Sequence, residues 1–162
     1  MTTVPTLRIR PFTEADRQGV QALAGRFVAF DLPPWHDPAT VLNASERLLD
    51  VLQPDPDLNC VRVAEDANGA LLGFVEVRVE YESFSTRPEA YLASLAVTEA
   101  AEGQGVGRAL VAAAEAWART RGLRTLSLHV FATNTRARGF YAALGFQDDT
   151  IKLVKPLEET SS

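Results

Sequence analysis

The sequence predicts an α+β domain on a largely antiparallel sheet, with elements in the order β-α-α-β-β-β-α-β-α-β-β. Three observations predict it. Residues 91–97, YLASLAV, are apolar but for one serine, as in a strand buried on both faces. Gly103, Gly105 and Gly107 follow at alternate positions, and then the amphipathic run ALVAAAEAWARTR, so strand, glycine loop and helix come in succession. Upstream, two alternating segments are joined by Asp66-Ala67-Asn68-Gly69, a hairpin signature. The layout holds one strand–helix–strand crossover at its centre, which should be right-handed.

Residues Thr6 to Arg10 alternate polar and apolar as an opening strand closed by Pro11. Thr13 and Asp16 form a capping-box pattern for a first helix, with Val20, Leu23, Ala24 and Phe27 as its apolar face. The stretch FDLPPWHD, Phe30 to Asp37, is loop, because two consecutive prolines cannot continue a helix. Asp37 and Pro38 read as N-cap and first-turn proline of a second helix that buries Val41, Leu48, Leu49 and Leu52.

Cys60 to Ala64 and Leu71 to Tyr81 are the hairpin strands. In the second, Val75, Val77, Val79 and Tyr81 share one face. Glu76, Arg78, Glu80 and Glu82 share the other, the pattern of a solvated sheet face. A loop containing Pro88 leads into the central strand. The helix after the glycines has Leu110, Ala114 and Trp117 on its stripe, Arg119 and Arg121 in its last turn, and Gly122 as its stop.

Leu126 to Phe131 is a strand with Leu126, Leu128 and Val130 on one face and Ser127, His129 and Phe131 on the other. Asn134 or Thr135 caps a last helix with Ala137, Phe140, Tyr141 and Leu144 as its stripe, ended by Gly145. Gly139 inside it costs about 1 kcal/mol against alanine, which close packing would explain. Short strands around Phe146 and from Thr150 to Lys155 complete a single domain over residues 1–157, with 158–162 as a flexible tail.

Size and composition narrow the function. A chain of 162 residues with 46% hydrophobic content is one globular domain, without an apolar run long enough to span a membrane. The N-terminus MTTVPTLRIRPF lacks an apolar targeting core, so a cytoplasmic location is expected. Cys60 is the single cysteine, which excludes an internal disulfide and cysteine-based metal clusters; no metal is expected. A net charge of −5 disfavours nucleic acid as a partner and suits cationic substrates.

The glycine loop is the strongest chemical signal. Without Cβ atoms, its backbone admits close approach by a ligand and leaves N–H groups converging at a helix N-terminus, a diphosphate site. The alternative is a glycine-softened turn with no ligand. A nucleoside-triphosphate loop would need Gly-Lys, which the chain lacks. A dinucleotide loop fails at Arg108 counting from Gly103, and at Leu110 counting from Gly105.

Two blocks now carry a family resemblance over almost the whole chain. YLASLAVTEAAEGQGVGRAL resembles the central strand and pyrophosphate loop, [QR]-x-x-G-x-[GA], of the GNAT superfamily of acyl-CoA-dependent N-acyltransferases. NTRARGFYAALGF is similar to that family's N-x-x-A-x-x-[FL]-Y-x-x-x-G-F. The resemblance implies the GNAT fold and transfer of acetyl from acetyl-CoA, as cosubstrate, to a primary amine in a ternary complex; it also allows a homodimer. It implies that the main chain of Leu95, Ala96 and Val97 bonds the pantetheine arm, and that the segment Gly103, Gln104, Gly105, Val106, Gly107 and Arg108 cradles the pyrophosphate. Asn134 would bond the cofactor with Ala137 and Phe140 packing nearby, and Tyr141 matches the general acid. Glu102 stands where the family usually has Gln or Arg; repelled by a diphosphate, its side chain is expected to turn outward. The acidic residue that many relatives carry near Ala93 or Ser94 is missing.

Acyl transfer to an amine needs a base, because a free alkylammonium has a pKa of about 10.4. His129 is the leading candidate for it, with an alternative role as a hydrogen-bonded strand histidine. Its rivals are Glu76 and Glu80 through water, and His36 with Asp37. Phe30, Trp35, His36 and Glu76 are the candidate acceptor-binding residues, the aromatics alternatively anchoring their loop. A non-catalytic acyl-CoA sensor is the competing function.

Overall fold

In the computed structural model, which describes residues 6–157, strands β1 (Arg8–Pro11), β2 (Asn59–Glu65), β3 (Leu71–Tyr81), β4 (Pro88–Val97) and β5 (Leu126–Ser127) form one sheet in sequence order. The first four pair antiparallel, and β5 pairs parallel to β4 across the crossover helix α3 (Val106–Thr120). Alternation sends side chains to two cores. Val75, Val77, Ala90 and Leu92 pack under Leu110, Val111, Ala114 and Ala118 of α3. Val61, Val63, Phe74 and Ala96 point the other way, against Val20, Leu23 and Leu49 of the N-terminal helices. Both faces of the sheet are thus covered. The apolar composition of YLASLAV follows from that.

The first helix is broken. A 3-10 turn at Glu14–Asp16, the short helix α1 (Arg17–Gln21) and a second 3-10 segment at Ala24–Val28 replace a single run. Gly19 and Gly25 lower helix propensity there. The capping box forms as expected, with Thr13 N donating to Asp16 Oδ2 at 2.8 Å. Asp37 caps helix α2 (Pro38–Asp50), accepting from Thr40 N at 2.9 Å, with Pro38 in its first turn. Leu48, expected in the core, is 60% exposed. The buried stripe runs through Leu42, Leu49 and Leu52, and Leu48 lies one helical step off it.

Three sheet expectations change. Glu76 is half-buried, so the charged face of β3 is not fully solvated. The strand expected over Leu126 to Phe131 is a strand only at Leu126–Ser127. The strands expected around Phe146 and from Thr150 to Lys155 do not form, and Ile151 and Leu153 lie 76% and 88% exposed. A strand needs a neighbouring ladder, and β5 is too short to supply one. Helix α4 (Thr135–Ala143) forms as read, capped by Asn134. Apart from its chain neighbours and its own helix backbone, no atom lies within 4 Å of a Cβ built at Gly139, so close packing does not explain that glycine. The expected tail, 158–162, lies outside the described residues. Among the described residues, no helix is long and apolar enough to cross a membrane.

One ion cluster ties the N-terminus to the sheet. Arg10 donates to both oxygens of Asp16 at 2.8 Å and, from Nε, to Glu65 Oε2 at 2.7 Å. Both carboxylates are buried, and Arg10 holds the Asp16 carboxyl below its ordinary value chiefly by these hydrogen bonds. Arg10→Ala would leave Asp16 with only Thr13 and Glu65 with only Arg8 at 3.5 Å, and should cost about 3 kcal/mol in urea unfolding. The Asp16 contribution has a defined sign with pH. It is fully present above the unfolded carboxyl value of about 4 and fades as pH falls through the lower folded value. Asp16→Asn should therefore lose stability at neutral pH and converge on the parent in acid.

Candidate active site

The site begins with a defect in β4. Glu76 pairs with Ser94, but the next residue, Val77, pairs with Leu92, so Ala93 is an extra residue bulged out of the ladder. On the other edge, β4 and β5 pair only at Ala90–Leu126 and Tyr91–Ser127. Beyond that point the two backbones part. A cavity of about 170 Å³ lies between them, lined by Leu92 to Leu95 on one side and Leu128 to Phe131 on the other. Phe27 and Phe30 from the N-terminal segment, and the cap Asn134 with Ala137 and Tyr141 of α4, complete its walls.

A larger cleft of about 530 Å³ shares Arg26, Phe30, Leu95, Asn134, Ala137 and Tyr141 with this cavity and runs to the glycine loop. Leu95, Ala96, Val97, Gly103, Gly105, Val106, Gly107, Arg108, Asn134, Ala137 and Phe140 line it. Gln104 does not. Its side chain turns back to donate to Ala100 O at 2.9 Å. Gly103 and Gly105 have φ of +73° and +82°, conformations that other residues rarely adopt, and Gly105 is the N-cap of α3. The first backbone bond closing the helix is Ala109 N to Gly105 O at 3.1 Å, so the N–H groups of the first turn have no intrahelical acceptors. Those donors, with Arg108 and Arg136 on the same cleft, are a donor set that fits a diphosphate. At Gly107 the need is space: an added Cβ would meet the Phe140 ring at 3.1 Å, so this glycine lets α3 and α4 approach.

Asn134 spends its carboxamide oxygen on the helix cap, accepting from Ala137 N at 3.2 Å, which leaves its NH₂ as the group available to a ligand. Tyr141 lines both cavities, and burial pushes its phenol up to about 12. His129 lines the smaller cavity with it. Its Nδ1 lies 3.0 Å from the Tyr91 hydroxyl, whose own pKa is raised chiefly by burial. Nε2 accepts a proton only if Nδ1–H donates to the Tyr91 oxygen, so this contact bears directly on which nitrogen is basic.

The other candidates separate. Phe30 lines both cavities. Trp35 and His36 line neither; His36 packs edge-on against Phe131 at 5.0 Å, and Trp35 is 47% exposed beside it. Asp37 is committed to capping α2. Glu76 lines neither cavity, and its carboxyl is raised chiefly by burial; Glu80 lies 3.5 Å from Arg78. Glu102 does not turn outward as expected. It faces the cleft, bonded to Arg26 and Arg136, because paired guanidiniums offset its charge. Sequence reasoning did not single out Arg26, Ser94, Phe131 or Arg136 as site residues. Two of them carried a signal: Phe131 shares a strand face with His129, and Ser94 stands where relatives carry an acidic residue.

Residues 25–146 match the acetyltransferase (GNAT) family. A mycothiol acetyltransferase of Jonesia denitrificans is 36% identical over 141 residues; the match covers 86% of this chain and 41% of that longer relative. An aminoglycoside N(6′)-acetyltransferase type 1 of Stenotrophomonas maltophilia is 31% identical over 136 residues, 82% of this chain and 85% of the relative. Among solved structures, an aminoglycoside N-acetyltransferase in complex with CoA has a TM-score of 0.68 at 19% identity, covering 98% of this chain and 99% of its own. A glucosamine-6-phosphate N-acetyltransferase from Arabidopsis thaliana has a TM-score of 0.65 at 16% identity, covering 94% and 99%. The bulged central strand, the glycine cradle and the capped helix beside it therefore sit on a chain that belongs to the acetyltransferase (GNAT) family.

Proposed function

We propose that the protein transfers the acetyl group of acetyl-CoA to a primary amine by direct attack in a ternary complex. The observation that carries this reading is the continuity of the two cavities. A cleft with a diphosphate donor set at one end opens at the other onto Tyr141 and His129. Acetyl-CoA, when bound, supplies an acyl group activated as a thioester. The chain supplies the rest. Amides of the first turn of α3 hold negative charge at the glycine loop. Backbone groups of β4 past the Ala93 bulge are free of β5 and open to an extended ligand.

His129 receives the proton that the attacking amine sheds, with Tyr91 holding its ring. Tyr141 donates a hydrogen bond to the departing sulfur. Full proton transfer is opposed: a phenol near 12 against a thiol of about 8.5 is uphill by about 5 kcal/mol. The acceptor enters the cavity walled by Phe27, Phe30 and Phe131. The names of two relatives, which specify mycothiol and aminoglycosides, direct the acceptor search to amines on small-molecule scaffolds.

The test is thiol release from acetyl-CoA across a panel of amines, with aminoglycosides and amino-sugar thiols included. Release that depends on one amine class supports the reading. CoA binding without release with any amine would favour an acyl-CoA sensor. Tyr141→Phe should lower kcat and kcat/KM together by about 10²-fold, with CoA affinity unchanged by calorimetry. The parent should show no loss of activity from Tyr141 ionisation below about pH 11, because deprotonation begins only near its raised value. Tyr91→Phe should slow turnover about tenfold, the weight of one hydrogen bond, and spare CoA binding. Gly105→Val and Gly107→Val should both weaken CoA binding and lower the melting temperature, the first by forcing a branched side chain to φ +82°, the second by pushing against Phe140.

A further inference from the structure

We propose that Glu102 is an internal counter-anion holding Arg26 and Arg136 across the donor cleft, and that the donor's diphosphate competes with it for Arg136. The inference rests on the donor reading above. Glu102 uses both carboxylate oxygens: Oε1 meets Arg26, and Oε2 meets Arg136 Nη2 at 2.8 Å. The three side chains come from three separate segments, the Ala24–Val28 turn, the glycine loop and the first turn of α4, and all line the cleft.

The two arginines are held unequally. Arg26 is 28% exposed and has a second anchor, donating from Nε to Val97 O at 3.2 Å at the end of β4. Arg136 is 73% exposed and meets Glu102 at the cleft rim. Exposed ion pairs contribute little, whereas arginine binds phosphate through two parallel hydrogen bonds. A diphosphate on the neighbouring glycine amides therefore takes Arg136 and leaves Arg26 in place. The carboxylate also lowers the trio's charge from +2 to +1, opposing the anion it sits beside. Glu102 thus moderates donor affinity, and the moderation runs through a shared partner.

Calorimetry with CoA and with pantetheine, which has no diphosphate, tests this at low and high salt. At low salt, Glu102→Gln and Glu102→Ala should each bind CoA about tenfold tighter than the parent, with a steeper loss as salt rises. Pantetheine binding should not change. Arg136→Ala should weaken CoA binding, and in that background Glu102→Gln should gain about threefold or less, because competition for Arg136 is gone. A parent that binds CoA while neither Glu102 variant tightens it overturns the proposal alone. So does an equal gain for pantetheine, or an undiminished gain without Arg136. A parent that binds no CoA overturns the donor reading and this inference with it.

Discussion

The single extra residue at Ala93 is the constraint on which the site depends. β4 must satisfy β3 along its whole length and β5 on its other edge. A bulge bends its strand and increases local twist. Past Tyr91 the β5 side is released, and backbone that would otherwise be sealed in a ladder faces a cavity. The walls then follow from what is already covered: α3 packs on one face of the sheet, the N-terminal helices pack on the other, and α4 closes the gap left by the parting strands. No residue lining the smaller cavity has a positive φ.

Charge is distributed with the same economy. The chain carries −5 overall, yet the larger cleft gathers Arg26, Arg108 and Arg136 with Glu102 as the one carboxylate among them. A global acidic excess therefore coexists with a local cationic site, because fields at a few ångströms are set by neighbours and distant charges are screened. Arg10 does a different job with the same chemistry. Its two buried carboxylates, Glu65 on β2 and Asp16 in the 3-10 turn after β1, fasten the N-terminal segment whose later residues, Phe27 and Phe30, reach the smaller cavity.

Much of the fold was legible in the amino-acid sequence. The hairpin at Asp66–Gly69, the Asp37 cap, the buried central strand and the glycine-loop helix all rest on local chemistry: turn propensity, capping and periodicity. Eleven of the twelve residues that the family resemblance assigns to the cofactor line one cleft; those from Leu95 to Arg108 do so because a strand, a loop and a helix start in sequence can be only so far apart. Gln104 does not line it, since its side chain turns back to Ala100 O. Leu48 fails by one helical step, an error in phase that composition cannot resolve.

What the sequence determined by itself was therefore the hairpin strands, the central strand, helices α2, α3 and α4 and the backbone chemistry of the glycine loop, since these arise from residues a few positions apart. Tertiary structure alone decided how far β5 follows β4 and that residues 146–157 join no strand, because strand pairing needs an edge that another part of the chain supplies. It alone brought Arg26, Glu102 and Arg136 together and set Tyr91 against His129 across 38 positions. Long-range ion pairs and hydrogen bonds leave no periodic trace; they exist only once the sheet has fixed the distances.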